Sequence, residues 1–299
     1  MTDLNETAPP PVGFGARAPR TSFESGLHRR LPPLVIRGTT LSHLSRTVEV
    51  EIIPRLVMAH GNAVQQNAPL PILADDVGAA GFAELVLGTE SHRASDLIQS
   101  YRERGVPLAT IYLDLMVPAA RHLRHLWMDD EWDFADVTLA LWRMQQLLRD
   151  FSPAFCADAG VKTAGLRALL AAGPDERHDI AHIMFGLVLA GEFFRRGGWD
   201  TWIEPDPAAT AFMQTIRTQW FDVVELFASG DRKLDDLAKS IRTIRRESSN
   251  RNIGVMVCGP AFTERPELVL LVGGDAVVSD LNEEALQAQN VVNLLTERR

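Results

Sequence analysis

Cysteine is scarce in this chain. Cys156 and Cys258 are the only two among 299 residues, too few for a disulfide framework, and the expectation is reduced thiols in the cytoplasm. Long apolar runs are missing too. No stretch of about 18 apolar residues occurs, so no membrane span is expected. The opening MTDLNETAPPP lacks the basic-then-apolar pattern of a secretory signal. Basic excess is absent: the formal charge is -9 and the pI near 5.4. Direct nucleic-acid binding is therefore not expected, because phosphate contacts need a net basic face. A protein partner that itself binds DNA is compatible with this charge. The G-x-G-x-x-G of a dinucleotide site is also absent.

What is present is ordinary for a globular protein with a core. Apolar residues make up 46% and charged residues 23%. The length leaves room for two domains. Residues 1–38 are rich in Pro, Gly, Ser and Thr with scattered arginines; they read as a flexible arm. From 39 to 158 the apolar residues recur at spacings of three and four, which predicts consecutive helices and a helical bundle. Pro54 marks a break in the first. A second break falls at DDEWDF, where Asp133 is placed to cap the helix that follows.

The character changes at residue 160. RALLAAG, WDTWIEP, FDVVELFAS, IGVMVCG and PELVLLVGGD each contain a predicted strand, separated by helical stretches. Strands alternating with helices predict a doubly wound, five-stranded parallel sheet over 160–299. The fold class is thus α + α/β. In such a sheet the ligand lies at the C-terminal ends of the strands.

The loop after the first strand is GPDERHD. It offers an imidazole, His178, with the carboxylate of Glu176 two residues earlier. An imidazole can bind a metal, and a carboxylate on its other ring nitrogen fixes the tautomer. Small residues stand at the later strand ends: Ser229 after the third, Cys258-Gly259 after the fourth, Gly273-Gly274 after the fifth. Together they predict an open slot along that edge.

These stretches resemble the cobalamin-binding domain of methionine synthase and its relatives. The fingerprint there is D-x-H-x-x-G, then S-x-L, then G-G. Here the matching residues are Glu176 to Ala181 with His178 inside, Ser229 to Asp231, and Cys258-Gly259. Glu176 and Ala181 replace the Asp and Gly of the first motif, Asp231 the Leu of the second, and Cys258 the first Gly of the third. The resemblance implies a Rossmann-like domain with His178 as the lower cobalt ligand and Glu176 as its partner. It implies that Ser229, Gly259 and Gly273 line the slot for the nucleotide tail. HLWMDDEWDFADVTLALWRMQQLL resembles the helical cap of cobalamin photoreceptors, which implies Trp127 over the upper face. The acid and imidazole those photoreceptors carry ten and eleven residues later are Val137 and Thr138 here.

The wording of DFADVTLAL and of IGVMVCGPAFTERPELVLLVGGDAVVSDL is similar to the PpaA/AerR family of antirepressors. Membership implies a non-enzymatic, cobalamin-binding, light- or redox-responsive regulator that binds a DNA-binding repressor of the PpsR/CrtJ type. Two alternatives stand beside it: a corrinoid carrier in methyl transfer, and a sensor of the same fold carrying heme. Other features read as structural. His178 and His182 at i, i+4 lack further ligands for zinc. His122 and His125 read as a solvated helix face. Cys258 reads as an inert core thiol, and RTIRRES as a solvated helix end. His182, one turn into its helix, is expected to pack.

Overall fold

The computed structural model describes residues 77–89, 92–160, 165–174, 176–204, 210–230 and 233–297, except the side chains of Arg177, His178 and Thr210. Every described residue belongs to the compact unit Asn67–Arg299. The arm and the helix expected around Pro54 lie outside the described residues.

The helical half begins with α1 (Gly78–Leu87) and α2 (His92–Glu103). Next comes a continuous helical run: α3 (Leu108–Thr110), a π segment (Ile111–Met116) and α4 (Val117–Met128). The π turn lies directly ahead of Pro118, which has no N–H to complete a regular turn. A short reversal leads to α5 (Phe134–Ala157). Asp133 occupies the N-cap position of α5 with extended backbone, but its side chain makes no capping bond. Residues such as Phe82, Ile98, Tyr112 and Leu148 form the shared core of these helices. Arg143 on α5 donates to the carbonyls of Val86, Leu87 and Gly88, at 2.6, 3.1 and 2.7 Å. Those carbonyls end α1 and have no partner within it, so a cation there satisfies both bonding and dipole.

The second half alternates strand and helix. The elements are β1 (Arg167–Ala172), a 3₁₀ turn (Glu176–Asp179), α6 (Ile180–Arg196), β2 (Asp200–Glu204), α7 (Thr210–Thr218), β3 (Val223–Phe227) and α8 (Leu234–Glu247). They continue with β4 (Gly254–Cys258), α9 (Pro260–Glu264), α10 (Leu268–Val272), β5 (Ala276–Val277) and α11 (Leu281–Glu297). The sheet order is β2-β1-β3-β4-β5, and every pairing is parallel. The five parallel strands expected from the sequence are therefore present. The order reverses between β1 and β3, the switch point where such sheets open a crevice.

The fifth strand is not where the sequence placed it. LVLLV is helical, as α10, and the strand is the short Ala276–Val277 beyond it. A five-residue apolar run fits either state. Here Pro266 precedes the run and Gly273 follows it at φ 82, the left-handed conformation that closes a helix. Leu270 is 80% exposed, which a central strand would not allow. Gly273 thus stands before β5, at the opposite end from the C-terminal edge of the sheet.

Helix α6 joins the two halves. It is apolar around nearly its whole circumference, the pattern of a helix buried on two sides. Phe185, Val188, Leu189 and Phe193 pack into the bundle core. Ile183, Leu187, Ala190 and Phe194 pack on the sheet with Leu170, Val223 and Met256. The other face of the sheet is covered by α7 and α8 through Phe212, Ile216, Leu237 and Ile241.

Candidate functional site

A cavity of about 990 Å³ opens between α4, α6 and the C-terminal ends of β3 and β4. On the bundle side it is lined by Val117, Ala120, Arg121 and Arg124, a stripe at helical spacing on α4. On the sheet side it meets Glu176, Phe227, Ser229, Cys258 and Gly259.

The strand-end loops are held by close backbone approaches. The Gly173 N–H donates to the Phe227 carbonyl. A Cβ on Gly173 would stand 2.7 Å from that oxygen. Gly259 has φ +116, and a Cβ there would meet the Ala228 carbonyl at 2.1 Å. Only glycine fits such a position. The floor of the crevice is therefore backbone.

Glu176 faces Ser229 across the switch point. Its Oε1 accepts from the Ser229 backbone N–H at 2.8 Å, and its Oε2 accepts from the Ser229 hydroxyl at 2.6 Å. The loop after β1 is thereby tied to the loop after β3. The acid and the serine that the resemblance assigned separately act on one another.

Asp179 closes the same turn and ties it to the bundle. Arg124 donates to its Oδ2 at 2.8 Å. His182 bonds its Oδ1 through Nδ1, while its Nε2 lies 3.1 Å from the Ala120 carbonyl. His182 thus bridges α6 and α4 rather than merely packing. Burial works to raise the Asp179 pKa, but the His182 hydrogen bond and the Arg124 charge outweigh it and hold the carboxyl below its usual value.

Of the residues singled out from sequence, Glu176, Ser229 and Gly259 come together at the cavity. His178 lies in the 3₁₀ turn between Glu176 and Asp179; its side chain is outside the described residues. Trp127 continues the α4 stripe by one turn but stacks on Phe134, with ring centroids 5.6 Å apart and planes at 59°. It does not line the cavity. Gly273 does not line it either, because it precedes β5. Among the described residues no cluster of three His, Cys, Asp or Glu is arranged to hold a metal ion.

The sequence reading missed an acid pair. Glu225 sits in the middle of β3, faces α6 and α11, lines the cavity and is 1% exposed. Glu284, in the first turn of α11, is 0% exposed and lies against it. Burial raises both pKa values, that of Glu284 well above its ordinary 4.5. Burial and the neighbouring Glu225 also push up the Cys258 thiol, in keeping with an unreactive cysteine. The signal was present in FDVVELFAS: a glutamate flanked by apolar residues in a strand buried on both faces.

The arrangement is a broad cavity under a helix, opening onto a backbone-floored crevice in a parallel sheet. It leaves room for a large ligand. The cradle glycines leave room at the sheet edge, and a Cβ on Gly186 of α6, which borders the cavity, would meet nothing within 4 Å.

Residues 79–149, which span the bundle over the cavity, match the family model described as a B12 binding domain. The fold is similar to that of the monomethylamine corrinoid protein of Methanosarcina barkeri, with a TM-score of 0.53 at 12% identity, covering 71% of this chain and 97% of that one. The bundle and Rossmann-like sheet share that fold, and the match over the bundle supports cobalamin as the cofactor. A relative in Rhodobacter capsulatus, described as an uncharacterized 20.5 kDa protein in the bchF-crtJ intergenic region, is 26% identical over 186 residues. The alignment covers 62% of this chain and 94% of that protein. Among the described residues no helix is long and apolar enough to cross a membrane.

Proposed function

We propose that this chain is a non-enzymatic regulator: a cobalamin-binding antirepressor that acts by binding a DNA-binding repressor of the PpsR/CrtJ type. The observation that carries the reading is the position of the cavity at the joint between bundle and sheet. A ligand there touches both halves and alters the Arg124–Asp179–His182 connection between them. The R. capsulatus relative is described by its place beside crtJ, which supports a partner of that type. A net charge of -9 suits action through a protein rather than on DNA.

Bound cobalamin would supply a cobalt centre responsive to light or redox state. The chain's own residues do the rest. Arg121 and Arg124 offer donors to amide substituents from the α4 side. Glu176, Ser229 and Gly259 would shape the crevice for the tail, and His178, carried by the turn they brace, would ligate the cobalt. A change of ligand state shifts affinity for the repressor only as far as the cofactor binds one arrangement of the joint better than the other.

The test has two arms. Hydroxocobalamin or hemin is added to the purified chain, which is desalted, and visible spectra are recorded for the wild type and His178→Ala. A corrin spectrum that shifts in the variant supports the axial role; an identical spectrum removes it. A Soret band without corrin uptake moves the reading to heme. Pull-down of a PpsR/CrtJ-type repressor in light and dark then tests the regulator. Corrinoid uptake with no repressor binding in either condition, together with a positive methyl-transfer assay, overturns it in favour of a carrier.

A further inference from the structure

The wall of the cavity between α6 and the sheet is apolar, with Ile183, Leu187, Ala190, Phe227, Val278 and Leu281 along it. One strongly polar group stands in this apolar wall. Glu225 lines the space at 1% exposure, yet its Oε2 has no hydrogen-bond partner. Both oxygens of Glu284 behind it are likewise unpaired. A buried polar atom without a partner carries a desolvation cost with no return from the fold. Two carboxyls placed against one another in an apolar setting cannot both ionise, so at least one keeps its proton. The Glu225–Glu284 pair thus holds a proton beside the cavity, within an apolar recess.

That combination recognises a flat aromatic ring carrying a nitrogen with a free lone pair. The apolar walls take the ring faces, and the acid proton meets the nitrogen. Of the parts of cobalamin, its benzimidazole base has this chemistry. Resting on the cobalamin reading of the cavity, we propose that the Glu225–Glu284 pair reads the ring nitrogen of the lower base and so selects corrinoids by their nucleotide tail. A corrinoid whose tail base is a phenyl ether offers no such acceptor and leaves the buried acid unpaired.

The experiment titrates the purified full chain with hydroxocobalamin and with the corresponding phenolic cobamide, following the visible spectrum. The wild type is expected to hold cobalamin at least about tenfold more tightly. Glu225→Met, which replaces the acid by an apolar side chain of similar size, is expected to lower cobalamin affinity towards that of the phenolic form. Glu225→Gln keeps an N–H donor and is expected to restore most of the preference. Equal affinity of the wild type for the two corrinoids overturns the proposal without need of any variant. So does a preference that survives in Glu225→Met. If the wild type retains neither corrinoid, the cobalamin reading itself falls, and the proposal with it.

Discussion

Arg124 and Asp179 meet at 2.8 Å across the boundary between the helical cap and the sheet. Asp179 also bonds His182, which reaches the Ala120 carbonyl one turn before Arg124. One carboxylate therefore holds two elements in place at the edge of the cavity. Asp179→Ala leaves His182 and Arg124 without their shared acceptor. The expected loss is about 2 kcal/mol of stability, with weaker cobalamin retention. Urea denaturation and a desalting assay measure the two; an unchanged midpoint would show that the connection carries no weight.

Glu176 and Ser229 form the second cross-link, from the β1 loop to the β3 loop. Removing the hydroxyl in Ser229→Ala leaves one carboxylate oxygen unpaired, while Glu176→Ala frees the Ser229 amide as well. Since the two share their bonds, their effects on cobalamin affinity are expected to be non-additive, by about 0.5–3 kcal/mol in a double-mutant cycle. Additive effects would mean that the loops are held independently.

Gly186 borders the cavity, and a side chain there has open space ahead of it. Gly186→Leu is expected to block corrinoid uptake. Stability should hold or rise, because a helical glycine costs roughly 0.5–1 kcal/mol relative to alanine. Absorbance after desalting and a thermal melt check both halves of the statement.

Gly259→Ala has the opposite outcome. Its φ of +116 and the Ala228 carbonyl at 2.1 Å from the added carbon leave no relaxed conformation. The backbone strain alone costs about 1–3 kcal/mol, and the clash adds to it. The melting temperature of this variant should fall well below that of Gly186→Leu.

The buried acids make a pH signature. In the unfolded chain Glu225 and Glu284 ionise near 4.5; in the folded chain burial raises both. Above 4.5 the native state therefore binds more protons than the unfolded state. Their contribution is full below that pH and is lost as pH rises through the native values. Relative to the wild type, a Glu225→Gln/Glu284→Gln variant should gain stability with rising pH. The limit is about 1.4 kcal/mol per pH unit for one proton. A constant difference from pH 5 to 8 would show that the pair does not hold its protons.

Much of the fold was legible because periodicity is a local property. The alternation of strand and helix after residue 160 led to a parallel sheet, and the small residues Ser229 and Gly259 marked true strand ends at the cavity. LVLLV misled because five apolar residues satisfy both a strand and a helix. Its flanking Pro266 and Gly273 decided for the helix, and Gly273 moved with it to the far end of β5. Trp127 was legible as part of a helix, but which way that helix closes depends on Phe134 beyond the next turn.

By itself the sequence determined that helices precede an alternation of strand and helix, and that the sheet is parallel, since these follow from residue spacing along the chain. Only the tertiary structure decided what faces what. It set Glu176 on Ser229, Asp179 between Arg124 and His182, and Glu225 against Glu284, pairs separated by up to 59 positions in the chain. No local pattern encodes such a meeting. It arises when the two faces of α6 are buried at once, one in the bundle and one on the sheet, and the polar groups at that joint must find partners or a ligand.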